Sequence, residues 1–285
     1  MVGGQPNSTM VAFNKNTGKT IWESVGQKTW EGVSAIGWPG EPLVRWNGFE
    51  KLASYSTPKL ATVHGKRLLF SLTRQGLVAL NPKDGSIKFS RWFRSRVNES
   101  VNAANPVVSG SQVFCSSAYY GAGSFLLDVG MECESFTEVW STYEKRKIDR
   151  KIEPVLEIHW TTPILHNGYL YAFTGRNEPD AQFRCVELKT GNIKWNREER
   201  WRAYSSKQPK VYGRGSALMA DNKLFVLGEG GLLGLFEVNP NKPIELARYQ
   251  VPELHYPCWA APILSDKRLY IRSEDYLICF DVAKK

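Results

Sequence analysis

Apolar and polar residues alternate along most of the chain in short stretches, and this period of two predicts half-buried β-strands. Leu, Val and aromatic residues fill these stretches, as in "RLLFSL" and "YLYAFT", and they favour a pleated surface. Short turns rich in Gly, Asn and Asp separate them. Only 135–151 has partial helical character, and its Trp140 occupies a position that the strand pattern also explains. The pattern therefore predicts an all-β chain.

The predicted strands recur in a repeat of 45–57 residues. Each unit opens on a proline or a small residue and continues through four short strands joined by tight turns. This length and strand number predict the blade of a β-propeller, in which four-stranded antiparallel sheets repeat around an axis. The units open at Pro58, Pro106, Pro163, Ala217 and Pro262.

We predict one propeller domain over residues 1–285, with five to six blades present and a parent of seven blades, or alternatively eight. The first unit supplies only two strands and the last lacks its fourth, so we expect an N-terminally truncated propeller. The predicted blades are 1–24 (partial), 52–94, 102–143, 156–200, 210–250 and 257–285.

The stretch "AFNKNTGKTIW" at 12–22 shows how the third and fourth strands of a unit are joined. Asn14 is expected to accept backbone hydrogen bonds across the turn, and Gly18 to adopt the left-handed conformation. Trp22 is expected to point from the fourth strand into the gap between blades. The structural docking residues predicted at this position are Trp22, Phe89, Trp140 and Trp195.

The formal net charge of +9 arises partly from two basic runs, at 144–151 and 197–202. Both runs contain acidic residues, so we interpret them as solvated loops and predict no nucleic-acid partner. The sequence has no apolar run of transmembrane length and no signal peptide at its first residues.

The five cysteines include no CxxC motif and no adjacent pair, which argues against a disulfide framework or a zinc site. Cys185 and Cys279 occupy matching positions on apolar strands, and both are predicted to be small core residues.

The run A-x-[DN]-x-x-T-G-x-x-x-W at 12–22 resembles the tryptophan-docking repeat of the PQQ-like (pyrroloquinoline-quinone repeat) β-propeller superfamily, with weaker copies at 79–89 and 185–195. The whole chain is similar to bacterial PQQ-like repeat propellers, a superfamily that includes quinoprotein alcohol dehydrogenases and BamB-like envelope proteins. The resemblance implies a periplasmic or envelope-associated protein. Members normally carry an export signal, so we expect this chain to be a C-terminal portion or to have been given too late a start.

A quinoprotein dehydrogenase would need calcium ligands, a carboxylate base and, by the family pattern, two adjacent cysteines. The sequence has no Cys-Cys pair, and its acids lie in turns, as at Asp84, Asp128 and Asp281. It also has no HExxH motif. We therefore predict no catalytic residues, no metal and no cofactor, and PQQ with calcium is kept as the alternative.

The residues that precede each first strand would surround the central channel of a propeller, and two Trp, a Tyr and an Arg are among them. Such side chains form binding hot spots, although Trp160 and Trp259 would equally suit packing between blades. The candidate binding residues are Tyr55, Asn102, His159, Trp160, Arg214 and Trp259.

A long insertion at 25–53 carries Trp30, Trp38 and Trp46 among glycines and prolines. An irregular aromatic loop of this length either caps the domain or recognises a ligand.

These features predict a non-catalytic binding or scaffolding module of the bacterial envelope, whose partner is an envelope protein, a small ligand or a glycan. Two alternatives stay open. One is a quinone-linked oxidoreductase domain whose cofactor ligands lie outside this chain. The other is a carbohydrate-binding propeller. The oligomeric state is not predicted.

Overall fold

The computed structural model describes residues 10–24, 35–36, 44–45, 55–94, 101–143, 153–177, 180–199 and 211–283. The chain separates into two compact units, residues 1–160 and 161–285, which are treated in turn. The insertion residues Trp30, Trp38 and Trp46 and the basic run at 144–151 lie outside the described residues. Within the described ranges, no helix has the length and apolar character needed to cross a membrane.

The first unit contains two four-stranded antiparallel sheets and two short strand pairs. The pairs are β1–β2 and β3–β4, and the sheets have the strand orders β5-β6-β7-β8 and β9-β10-β11-β12. A single turn of 3-10 helix, Tyr119–Gly121, lies between β10 and β11. The strands are β1 (Met10–Phe13), β2 (Thr20–Ser24), β3 (Ala35–Ile36), β4 (Val44–Arg45), β5 (Lys59–Val63), β6 (Lys66–Leu72), β7 (Gly76–Leu80), β8 (Ile87–Trp92), β9 (Val107–Ser109), β10 (Gln112–Ser117), β11 (Gly123–Val129) and β12 (Phe136–Ser141).

The second unit contains two more four-stranded sheets, β13-β14-β15-β16 and β17-β18-β19-β20, and a three-stranded sheet, β21-β22-β23. All neighbouring strands are antiparallel and follow chain order. The strands are β13 (Ile164–His166), β14 (Tyr169–Thr174), β15 (Gln182–Glu187), β16 (Ile193–Glu198), β17 (Ser216–Ala220), β18 (Lys223–Leu227), β19 (Leu232–Glu237), β20 (Glu245–Gln250), β21 (Ile263–Ser265), β22 (Arg268–Arg272) and β23 (Leu277–Asp281).

This architecture confirms the predicted all-β fold with four-stranded antiparallel blades. Four first strands begin directly after the proline that opens their unit, because proline has no N–H to donate to a neighbouring strand. β17 begins at Ser216 instead, one residue before its opening position and two residues earlier in the repeat than the other four, since Ala217 can pair with Val226. The single-domain assignment and the blade number stay predictions.

The apolar core of each unit lies between consecutive sheets. In the first unit, Phe70 and Leu77 of the β5–β8 blade form one buried cluster with Val113 and Phe125 of the β9–β12 blade. In the second, Phe183 of the β13–β16 blade is buried in a cluster with Val226 and Phe236 of the following blade. Burial of these side chains is the main term that holds neighbouring blades together.

The turn between the third and fourth strands has the predicted construction. The Asn14 Oδ1 accepts hydrogen bonds from the backbone N–H groups of Asn16 (2.9 Å) and Thr17 (3.1 Å). Gly18, Gly85 and Gly191 adopt positive φ values of 71°, 74° and 74° at equivalent places.

Next to this turn, every third–fourth strand pair that the structure describes contains a β-bulge. Ala12 pairs with Trp22 but Phe13 pairs with Thr20, so Ile21 has no opposite residue. The same shift occurs at Ala79/Leu80, Leu126/Leu127, Cys185/Val186 and Leu235/Phe236. A bulge bends and twists its strand, and here it lies directly beside the aromatic position.

Three of the predicted docking aromatics, Trp22, Phe89 and Trp195, contact the blade that follows within their unit, whereas Trp140 contacts a ring of its own blade. Trp22 packs with Leu69, Val78 and Leu80, and its indole N–H donates to the Pro82 carbonyl (3.2 Å). Trp195 donates to the Asn239 carbonyl in the same way (2.9 Å). The ring of Phe89 lies 5.3 Å from that of Phe136, and the ring of Trp140 lies 6.0 Å from that of Phe114 in its own blade.

An arginine two residues after the aromatic forms a second link between blades, which the sequence did not predict. The Arg91 guanidinium lies 4.0 Å above the ring of Phe125 and pairs with Glu138, both in the next blade. Arg197 repeats the arrangement, 5.1 Å from the ring of Phe236 and 2.7 Å from the Glu245 carboxylate. We call these two constellations the arginine links. Stacking and charge pairing act together in both.

The cysteine prediction is correct for Cys185, which is buried, and wrong for Cys279, which is exposed. Cys185 pairs with Trp195 on β16, whereas β23 is an edge strand within the described residues, so Cys279 has no fourth-strand residue beside it there.

Candidate binding site at the first-strand loops

The chain entering a first strand and the connection between second and third strands lie at the same end of a four-stranded antiparallel sheet. The candidate residues before the first strands therefore lie near these connections. Four of the candidates contact a connection in the preceding blade of their own unit, namely Asn102, His159, Arg214 and Trp259.

Asn102 lies in the interior. Its side chain is fully buried, and its Nδ2 donates to the carbonyls of Thr73 (2.8 Å) and Phe93 (3.0 Å). Thr73 begins the β6–β7 connection. Asn102 thus joins two loops and presents no surface to a ligand.

His159 and Trp160 are half-buried and lie side by side. The His159 Nε2 is 2.9 Å from the hydroxyl of Tyr119, which lies in the β10–β11 connection. The ring centroids of His159 and Trp160 are 4.8 Å apart. Tyr55, before β5, is 76% exposed.

Arg214 forms a buried ion pair with Glu229, whose side chain is inaccessible to solvent. The Arg214 Nη2 lies 2.8 Å from the Glu229 Oε2, and the Arg214 Nε and backbone N–H both donate to the Oε1 (3.1 and 2.7 Å). The Nη1 donates to the carbonyl of Arg176 in the β14–β15 connection (2.8 Å). This bidentate geometry satisfies both charges away from water.

Trp259 contacts the same carboxylate: its indole N–H donates a hydrogen bond to the Glu229 Oε2 (3.3 Å). The Tyr256 ring stands nearly perpendicular to the Trp259 ring, at an interplanar angle of 87° with centroids 5.9 Å apart. Each of the two side chains is 47% exposed. We call this pair the aromatic corner.

The loop that carries the aromatic corner is fixed between its two rings. The Cys258 backbone N–H donates to the Glu229 carbonyl (2.9 Å), and the buried Cys258 thiol donates to the His255 carbonyl (3.2 Å). Burial raises the pKa of Cys258 to about 11, so the thiol keeps the proton that it donates. The corner is therefore a preformed surface.

The structure brings Arg214 and Trp259 together through Glu229, and His159 together with Trp160, whereas Asn102 is buried. Sequence reasoning missed Glu229 and Tyr256. Glu229 lies within "GEGG", where glycines suggest only a connection, and nothing local indicates that its carboxylate is buried. Tyr256 lies three residues before Trp259, outside the positions that directly precede each first strand.

Among the residues that the structure describes, no three His, Cys, Asp or Glu side chains meet as a metal-binding group. The one fully buried carboxylate at the aromatic corner, that of Glu229, is already bonded to Arg214 and Trp259. Binding of PQQ with calcium stays the alternative prediction.

Comparison with known proteins supports the same fold. A family model described as outer membrane protein assembly factor BamB matches residues 4–197. The search of curated proteins found no match.

Two solved structures are similar in fold. BamB from Moraxella catarrhalis has a TM-score of 0.50 and 16% identity, covering 87% of this chain and 66% of that one. The quinohemoprotein alcohol dehydrogenase ADHIIG from Pseudomonas putida HK5 has a TM-score of 0.51 and 13% identity, covering 80% of this chain and 40% of that one. The chain thus spans less than two thirds of either structure.

Proposed function

The chain belongs to the family of the outer membrane protein assembly factor BamB, and from this membership we propose that it is a non-catalytic binding module of the bacterial cell envelope. Its partner is an envelope protein, contacted through the loops that precede the first strands. A periplasmic location is part of the proposal, since the family resemblance suggests an envelope protein.

The aromatic corner carries this proposal. Tyr and Trp dominate binding hot spots because they offer large contact area with few rotatable bonds. Here both rings are half exposed, whereas a Trp that only packs between blades would be buried by neighbouring side chains. Their loop is held by hydrogen bonds to Glu229, so little conformational entropy is lost on binding.

Photo-crosslinking in living cells tests the proposal. A photoreactive phenylalanine analogue replaces Trp259 in the natural full-length protein, and crosslinked species are identified after cell fractionation. We expect a discrete adduct with an envelope protein. The analogue at Met131, which is exposed on the turn between β11 and β12 at the other end of its sheet, serves as the control.

The proposal is wrong if position 259 gives no adduct, if Met131 gives the same adduct, or if the protein fractionates with the cytosol.

A quinone-linked oxidoreductase is the alternative function. Its motivation is the fold shared with ADHIIG, at 13% identity. Addition of PQQ and calcium to the full-length protein, followed by absorbance and dye-linked alcohol oxidation, tests it. A stoichiometric quinone spectrum with turnover would replace the non-catalytic proposal.

A further inference from the structure

We propose that the aromatic corner binds a proline residue in an extended, polyproline-II-like segment of the partner protein. This inference rests on the proposed protein-binding function and adds the class of peptide that the corner recognises.

The shape of the corner favours a compact ring. Tyr256 and Trp259 stand at 87° with centroids 5.9 Å apart, so they border an angular notch instead of a flat platform. A prolyl ring can contact both side chains at once through its C–H groups. Aromatic-lined grooves recognise proline-rich segments in this manner, and the polyproline II conformation is already populated before binding.

The electrostatics of the corner favour an uncharged ligand. The Arg214 guanidinium and the Glu229 carboxylate beneath Trp259 are 8% and 0% exposed and neutralise each other. A charged side chain placed on the rings would lose hydration and gain no opposite charge from this pair. Prolyl and aliphatic groups incur no such loss.

The same pairing disfavours a sugar. A pyranose stacked on Trp259 would need hydrogen-bonding partners for its hydroxyls, because polar groups desolvated without partners cost binding free energy. The carboxylate oxygens of Glu229 are bonded to Arg214 and to the Trp259 N–H, and the Arg214 Nη1 is bonded to the Arg176 carbonyl. Each of these groups therefore already has a hydrogen-bonding partner within the protein.

The test measures binding of a fluorescein-labelled, end-blocked decaproline to the full chain by fluorescence anisotropy, with an alanine–serine peptide of equal length as the negative probe. We expect saturable binding of decaproline alone. Trp259→Ala should weaken it about tenfold or more, and Tyr256→Ala should weaken it severalfold.

Met131→Ala is the control, because Met131 is an apolar side chain that is 70% exposed in the β11–β12 connection, at the end of its sheet opposite to the first-strand loops. It should bind decaproline like the unaltered chain. Thermal melts of all three variants identify any loss of folding, and Trp259→Phe, which keeps a ring on the same backbone, should retain part of the affinity.

Equal binding by Trp259→Ala, or no decaproline binding, overturns the inference. If the crosslink from position 259 persists in the second case, the protein-binding function stands and only the proline class is wrong. Competition by methyl glycosides that depends on Trp259 would instead assign the corner to carbohydrate and overturn both proposals.

Discussion

At the residue scale, one backbone conformation serves two different purposes. Gly65 and Gly85 both have φ of +74°, yet a Cβ on Gly65 would meet no atom within 4 Å. A Cβ on Gly85 would lie 2.5 Å from Cε3 and 2.7 Å from Cδ2 of Trp22. Gly65 is therefore required by the turn alone, whereas Gly85 is required by the turn and by the ring packed on it.

We expect Gly85→Ala to destabilise the chain by about 1–3 kcal/mol more than Gly65→Ala, because overpacking adds to the shared cost of left-handed backbone. Urea denaturation of the two variants measures the difference. Equal losses would show that Trp22 does not press on Gly85.

Glu199 is a buried carboxyl group whose stability contribution depends on pH. Burial raises its pKa, against the hydrogen bond from the Tyr212 N–H and the charge of Arg197. The folded state then holds the proton at pH values where the unfolded state, with a Glu pKa of about 4.3, has released it. Stability linked to this group therefore falls as pH rises from about 4.3 through its folded pKa.

We expect Glu199→Gln to gain stability relative to the unaltered chain as pH rises from about 4.5 to 8, since glutamine cannot ionise. Urea denaturation across this range measures it, and Glu198→Gln, on the exposed neighbour, subtracts the effect of removing a charge. A difference that is constant with pH would contradict the raised pKa. The pKa of Glu245 is lowered because hydrogen bonds from Arg248 and Tyr212 outweigh its burial, so its contribution is lost only below this range.

At the element scale, each fourth strand connects to the next blade by more than an aromatic ring. In the arginine links, Arg91 and Arg197 lie on the same strand as the ring, two residues later, and reach the acid on the following fourth strand. The Arg91 side chain is largely buried, in contrast to the exposed pair of Lys66 and Glu132. Both pairs cross from the β5–β8 blade to the next one.

A double-mutant cycle with Arg91→Met and Glu138→Gln should give a coupling free energy of about 1–2 kcal/mol. The same cycle with Lys66→Met and Glu132→Gln should show no measurable coupling, because solvent and salt screen an exposed pair. Similar values for both cycles would mean that the arginine link adds nothing to blade contact.

Strands and turns could be predicted because their causes are local. Pro58 and Pro106 mark strand starts through a missing N–H, and Gly18 marks a turn through its φ. The bulge beside Trp22 and the partner of Arg91 depend on residues of neighbouring strands or blades. In the sequence, an arginine on a fourth strand cannot be distinguished from a solvated one, because its partners lie in the next blade.

At the scale of the whole molecule, the five cysteines differ in their exposure to solvent. Four are buried, and burial raises the pKa of Cys115 strongly and that of Cys185 to about 11. Cys279 is exposed on β23.

We expect one thiol to react rapidly with a disulfide reagent at pH 8 in the native chain, and all five to react in denaturant. Cys279→Ser should remove the rapid reaction. Rapid reaction of two or more thiols would show that a buried cysteine is accessible.

The candidate site could be predicted only in part. Position in the repeat identified Arg214 and Trp259, because every blade places equivalent residues before its first strand. It did not distinguish the buried Asn102 from the exposed Tyr55, since burial depends on the connection that each residue meets. Glu229 could not be found from its own segment because its partners lie 15 and 30 residues away.

The contacts from first-strand loops to connections in the preceding blade have a consequence for evolution and for engineering. Asn102 with Thr73, His159 with Tyr119, and Trp259 with Glu229 are each a hydrogen-bonded contact shared by two repeats. Substitution of the first-strand loop residue alone would leave its hydrogen-bonding partner in the preceding repeat without a matching group. New specificity should therefore arise through paired substitutions in adjacent repeats, and grafting a loop onto another propeller should succeed only when its receiving connection is transferred with it.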